Sequence, residues 1–270
     1  MPSAAAPQVA TGFPRPGWSA LLTAPLRMRP NLLVIGAQKA GTTSLHSLLA
    51  GHPEIAMSRI KECNELVRER PSTMRHRAFL PLGGALAAKR ARWAGESTPY
   101  YIFHPQAPVN AARLLPGVHA VAILRDPVAR AWSHYRHAVR FGFEPLPFDE
   151  ALAREAARLA EDPLAHRQHS YFARGCYAEQ LERWFDALGR ERVLVVSFEE
   201  LCGAERIALK AIAGFLGLST PITGELPLRN QGEGDPAGLS PALRDALRER
   251  YRPHNRRLEE LLGRPFGWDA

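Results

Sequence analysis

Lysine is scarce in this basic chain. Among 270 residues with 35 Lys and Arg and a net charge of +8, the lysines are Lys39, Lys61, Lys89 and Lys210. Arginine therefore carries the general positive field, and a lysine at a motif position stands out as a compact point charge. Cysteine is scarcer still. Cys63, Cys176 and Cys202 make an odd count without metal-ligand spacing, which argues against a zinc site and suits reduced thiols in the cytoplasm. His134 with His137 and His166 with His169 have helical spacing, but no H-E-x-x-H pattern accompanies them. No metal is expected, and these histidines read as surface or cofactor-adjacent. No apolar run is long enough to span a bilayer, and no repeat of fixed period is visible. Residues 1–30 are dominated by Ala, Pro and Gly and make a poor signal peptide, so they are expected as a flexible tail ahead of a domain over 31–270. Within that tail, the apolar patch Trp18 to Leu26 has the character of a short docking element.

What is present is enough for a sizeable core, with 46% of residues hydrophobic. Strand-like runs at Leu32 to Ile35, Arg92 to Gly95, Val118 to Leu124 and Val193 to Phe198 alternate with longer helical patterns. That alternation predicts a single α/β domain, P-loop-like, with a central parallel sheet and helices on both faces. Tyr177, Leu181, Trp184 and Leu188 form one helical stripe and are expected in the core. The stretch from Ser240 to Gly263 is expected as two packed helices with a kink or break between them at Pro253.

The segment from Asn31 to Gly51, NLLVIGAQKAGTTSLHSLLAG, reads as a buried strand, a turn bracketed by Gly36 and Gly41, and an amphipathic helix ended by Gly51 and Pro53. Glycine permits close backbone approach. The first helical amides, at Thr42, Thr43 and Ser44, have no partner within the helix and face outward at its positive end, so an anion can dock there. Lys39 adds a full charge. A nucleoside-triphosphate loop of the G-x-x-x-x-G-K-[ST] kind places its lysine directly after the second glycine. Here that position is Thr42, so the loop grips a phosphate without the arrangement expected for ATP with magnesium.

A second strand-to-helix junction spans Val118 to Arg140. Asp126 is a helix N-cap and Pro127 occupies the first helical position. Arg125 leaves the strand at its carboxyl end, where ligands collect in open parallel sheets, so it faces the Gly36 to Thr43 loop if the two strands are neighbours. Ser133 lies two turns into the helix near Arg130 and His137. A guanidinium fork with a rotatable hydroxyl suits a terminal phosphate.

Together, V-I-G-A-Q-K-A-G-T-T at Val34 to Thr43 and R-D-P-V-A-R-A-W-S at Arg125 to Ser133 resemble the sulfotransferases that use 3′-phosphoadenosine 5′-phosphosulfate (PAPS), closest to the bacterial and heparan-sulfate-type branch. Further likeness runs through Gly95 to Tyr101, Tyr177 to Leu201 and Phe215 to Leu218, ending near Trp268. The resemblance implies that Gly36, Lys39, Ala40, Gly41, Thr42 and Thr43 cradle the 5′-phosphosulfate and that Arg125 and Ser133, eight positions apart, bind the 3′-phosphate. PAP is then the product, and no metal is implied.

The resemblance also implies a glutamate base. Glu62, in Lys61-Glu62-Cys63-Asn64-Glu65-Leu66, falls on it, with Glu65 as a rival because the histidine and aromatics that often follow are absent. At Ser97 heparan-type relatives often carry a lysine. The expected acceptor is a hydroxyl of a carbohydrate, lipid or natural product, in a pocket formed by loops within Arg59 to Leu82, Tyr100 to Gln106 and Phe141 to Phe172, with Arg229 to Gly234 as a lid. Two other readings are a nucleotide or small-molecule kinase and a basic nucleic-acid-binding protein. The arginines are spread along the chain rather than grouped with stacking aromatics, so no specific nucleic-acid partner is expected.

Overall fold

A computed structural model describes residues 13–84, 91–162, 165–226 and 238–269. The expected lid over Arg229 to Gly234 lies outside the described residues.

Five strands, β1 (Leu32–Gly36), β2 (Ile55–Met57), β3 (Trp93–Ser97), β4 (His119–Leu124) and β5 (Val193–Ser197), form one sheet in the order β2-β3-β1-β4-β5. Every pairing is parallel. β1 is buried at every position, which is how a central strand of such a sheet reads as an unbroken apolar run. Four strands coincide with the sequence runs. β2 does not, because an edge strand of three residues is too short for a period to show.

The helices, in chain order, are α1 (Trp18–Leu22), α2 (Thr42–Gly51), α3 (Thr73–Arg77), α4 (Gln106–Leu114), α5 (Pro127–Arg140), α6 (Phe148–Glu161), α7 (Ala165–Gln168), α8 (Tyr177–Leu188), α9 (Phe198–Cys202), α10 (Ile207–Phe215) and α11 (Pro241–Leu262). With the sheet they make the expected α/β architecture. Among the described residues no helix is long and apolar enough to cross a membrane.

The chain gathers into two compact units. One holds the sheet and comprises Phe13–Arg125 and the stretch from Glu179. Its core includes Leu32, Leu33, Ile35, Leu45 and Leu49, all fully buried. The expected tail is tied down there from α1 onward. Arg27 forms an antiparallel bridge with Leu82 and donates from Nη1 to the Leu80 carbonyl at 2.6 Å, while Arg77 donates to the carbonyls of Pro25 and Arg27. Arginine forks saturate backbone acceptors that a free tail would give to water. Trp18 and Leu22 of the apolar patch remain exposed.

The other unit comprises Asp126–Ala178 and the C-terminal stretch, with α5, α6, α7 and α11. Phe148, Leu152, Tyr171, Leu247 and Tyr251 lie in its core. α11 corrects the expectation of two helices, since one helix runs from Pro241 to Leu262 through Pro253. A proline inside a helix costs about 3 kcal/mol. Here Leu247, Tyr251, Asn255 and Leu258 are buried on both sides of it, so the packed face offsets the lost hydrogen bond.

The stripe on α8 is buried as expected, with Leu181 and Trp184 at 0% exposure and Tyr177 and Leu188 at 1% and 2%.

Candidate functional site

β1 ends at Gly36 and α2 begins at Thr42, so five residues form the turn. Gly36 has φ +154°, and a Cβ there would lie 2.4 Å from Ile102 Cγ2 and 2.9 Å from the Pro99 carbonyl, so only glycine fits. Gly41, the N-cap of α2, is left-handed at φ +84°, and its Cβ would press on the Phe198 ring at 3.1 Å. The Ala37 amide donates to the Ile123 carbonyl at 2.6 Å, which fixes the turn to β4. Ala40 and Thr42 are buried, while Thr43 and Lys39 are half-buried. The turn is thus held from below, with the first turn of α2 at its mouth.

β4 is the direct neighbour of β1, as the placement of Arg125 requires. Arg125 donates from Nη1 to the Lys39 carbonyl at 3.1 Å, and its guanidinium lies over the Phe198 ring at 4.9 Å. A contact between residues 86 positions apart thus brings Arg125 to the cradle.

The opposite flank carries a residue that sequence reasoning did not assign. Lys61 donates from Nζ to Thr43 Oγ1 at 2.6 Å. Burial pulls its ammonium below the ordinary lysine range; Glu62 opposes this and Lys39 adds to it. Its sequence signals are the rarity of lysine and its place directly before Glu62 in the segment that resembles the family's base motif. The Glu62 amide donates to the Ser97 carbonyl at the end of β3 at 2.8 Å, and the Thr98 amide donates to the Val34 carbonyl at 3.1 Å. Ser97 is fully buried and its Oγ meets His46 Nδ1 at 3.0 Å. Burial, then Lys61, hold His46 below its usual value.

The two glutamates have different surroundings. Glu62 is exposed and left-handed at φ 59°. Glu65 is fully buried and saturated: its carboxylate accepts from the Ser72 amide at 2.6 Å, from Arg75 at 2.8 and 2.7 Å, and pairs with Arg68 at 3.1 Å. Glu96 is a third carboxylate, buried with Thr98 Oγ1 at 2.7 Å and His76 Nε2 at 3.2 Å. Non-glycine residues in the left-handed region cost free energy and gather at functional sites. Among the described residues these are Lys39, Glu62, Asn64 and Arg206, and two of the four are the candidate catalytic pair.

Ser133 belongs to the other unit. It is buried on α5, whose N-cap Asp126 accepts from the Ala129 amide at 2.7 Å as expected. The expected helix-face neighbours also differ from a solvated surface. Arg130 is fully buried and donates to the Tyr171 carbonyl, and His134 is buried with its ring 5.0 Å from that of Tyr171. His134 is therefore not a surface residue, because α5 turns that side into the core. His169 is half-buried beside Tyr171 and Glu144.

Comparison with known proteins gives these residues a family. A model described as "Sulfotransferase family" matches residues 84–221, which include Arg125 and Ser133. Mouse heparan sulfate glucosamine 3-O-sulfotransferase 3B1 is 27% identical over 267 residues, covering 89% of this chain and 65% of that protein. The chain thus spans just under two thirds of that relative's length. Human bifunctional heparan sulfate N-deacetylase/N-sulfotransferase 2 is 26% identical over 199 residues, covering 70% of this chain and 22% of its own length. The crystal structure of a sulfotransferase from Alicyclobacillus acidocaldarius superposes with a TM-score of 0.74 at 31% identity, covering 90% of this chain and 100% of that one. With over half its length matched by the family model and its sheet shared with that crystal structure, this chain belongs to the sulfotransferase family.

Proposed function

We propose that this protein transfers a sulfuryl group from PAPS to a hydroxyl of a carbohydrate, lipid or natural-product acceptor. The observation that supports the reading is the hydrogen bond from Arg125 to the Lys39 carbonyl at 3.1 Å, which sets a guanidinium against the cradle. The donor set fits the nucleotide: Lys39, Arg125 and the amides at the start of α2 all favour an anion.

When bound, PAPS supplies a sulfuryl group activated by its phosphate leaving group. Lys39 and the amides of Thr42 and Thr43 neutralise negative charge at the mouth of the cradle, with Gly36, Ala40 and Gly41 shaping its floor. Arg125 and Ser133 are the residues for the 3′-phosphate. Glu62 takes the proton from the acceptor hydroxyl as the new S–O bond forms and the bond to the phosphate oxygen breaks. Glu62 rather than Glu65 suits this task, since a base needs an open lone pair and both Glu65 oxygens are occupied. The reading assigns the protein to the cytoplasm, since Cys63, Cys176 and Cys202 form no disulfide among the described residues.

Thermal shift tests the assignment. PAP without metal at 100 times its Kd should stabilise the protein by about 2.7 kcal/mol, and ATP with magnesium should not. Stabilisation by ATP with magnesium but not by PAP would make the protein a kinase instead.

A further inference from the structure

The strand bearing the cradle sits third of five, and a cation approaches the cradle from each side: Arg125 from the end of β4, and Lys61 from the stretch that follows β2 and is anchored to the end of β3. From the β4 side Arg125 reaches the Lys39 carbonyl and rests on Phe198. From the β3 side Lys61 reaches the Thr43 hydroxyl. The β3 side is also where Glu62 is anchored, through its amide to the Ser97 carbonyl. Lys61 is thus tied at both ends: its ammonium to the first turn of α2 and its backbone to the residue proposed as base.

The two cations are built for different work. Arg125 offers a planar fork suited to a phosphate held in one orientation. Lys61 offers a compact charge with three rotatable donors, of which Thr43 takes one, on a stem half-withdrawn from water. It bonds the cradle at Thr43 and directly precedes Glu62 in the chain, so its charge stands beside both the phosphosulfate cradle and the residue proposed as base. Its charge also acts on its neighbours, since after burial it helps hold His46 below its usual value, and Glu62 lies beside it.

We infer that Lys61 is the sulfuryl-binding residue of this site, recognising the group in transit, while Arg125 and Lys39 recognise the nucleotide that carries it. The inference rests on the sulfotransferase reading above. It adds a residue not assigned from the sequence and divides the cations by the part of the ligand each serves.

The test compares binding of PAP and PAPS by calorimetry to wild type, Lys61→Met and Lys61→Arg, with the ligand-free Tm as a check on folding. The variant Lys61→Gln serves if methionine destabilises the fold. Expected are a loss of about tenfold or more in PAPS affinity for Lys61→Met, PAP affinity within about threefold of wild type, and partial recovery of PAPS affinity in Lys61→Arg. Equal weakening of PAP and PAPS would make Lys61 a nucleotide residue and overturn the inference, and so would no weakening of either. Failure of wild type to bind PAP would instead sink the functional reading, which keeps the two outcomes apart.

Discussion

Exchanging each of two neighbouring glutamates for glutamine separates chemistry from architecture. Glu65 is fully buried, accepts from the Ser72 amide at 2.6 Å and holds Arg75 through bonds of 2.8 and 2.7 Å, with Arg68 at 3.1 Å. Glu65→Gln leaves both guanidinium groups without a counter-charge and turns an amide NH₂ toward donors. Breaking a buried pair costs about 3 to 5 kcal/mol. The side chains of Arg75 and Arg68 are 30% and 14% exposed, so water recovers part of that and about 3 kcal/mol is expected. At roughly 2 to 4 °C per kcal/mol for a chain of this size, Tm should fall by about 6 to 12 °C.

Glu62 is exposed and tied by its backbone amide to Ser97, an interaction that glutamine keeps. Glu62→Gln should move stability by no more than about 0.5 kcal/mol. Loss of a general base should instead lower kcat by about 10² to 10⁴, equivalent to about 2.7 to 5.4 kcal/mol in the barrier. Scanning calorimetry and transfer of ³⁵S from labelled PAPS to a panel of glycans, lipids and phenols read the two effects. A Glu62→Gln protein with normal turnover, beside a Glu65→Gln protein with normal Tm and no turnover, would refute the reasoning.

Arg125→Ala should weaken PAP binding about tenfold or more by titration calorimetry, from the loss of charge-assisted hydrogen bonds; unchanged affinity would remove Arg125 from the site. Gly36→Ala places a methyl 2.4 Å from Ile102 and 2.9 Å from a backbone oxygen, at a φ that alanine avoids, so a loss of about 3 kcal/mol or more is expected on chemical denaturation. A wild-type midpoint would contradict the packing of the turn. Glu144 is buried, which raises its pKa, but Arg158, the Leu146 amide and the Tyr171 hydroxyl outweigh burial and hold the carboxyl below the usual range. Its contribution is present above the ordinary value of roughly 4.3 and lost as pH falls through the lowered one. The Tm of Glu144→Gln should therefore be lower than wild type at neutral pH and converge with it in acid, and parallel curves would exclude this linkage.

The sequence makes the sheet legible where apolar runs are long and end in punctuation: Leu32 to Ile35 before Gly36, and Val118 to Leu124 before Asp126 and Pro127. β2 escapes because three edge residues carry no period, and α11 because the local penalty of Pro253 is outweighed by packing that no window of sequence contains. The cradle and Arg125 are legible from motif chemistry. Lys61 and the His46–Ser97 pair are not, since their contacts join residues 18 and 51 positions apart through the strand order. The left-handed backbone at Lys39 and Glu62 is equally hidden, because nothing but glycine advertises that conformation.

A cradle on the middle strand, met on one side by a guanidinium from the end of β4 and on the other by an ammonium from the stretch after β2, divides responsibility along the sheet. The β4 border is rigid, stacked on an aromatic ring and bonded to main chain. The β3 border is a run of irregular backbone between short elements. If the acceptor meets that second border, grafting the stretch from Arg68 to Leu82 while keeping Lys61 and Glu62 should change acceptor preference and leave PAP affinity as it is.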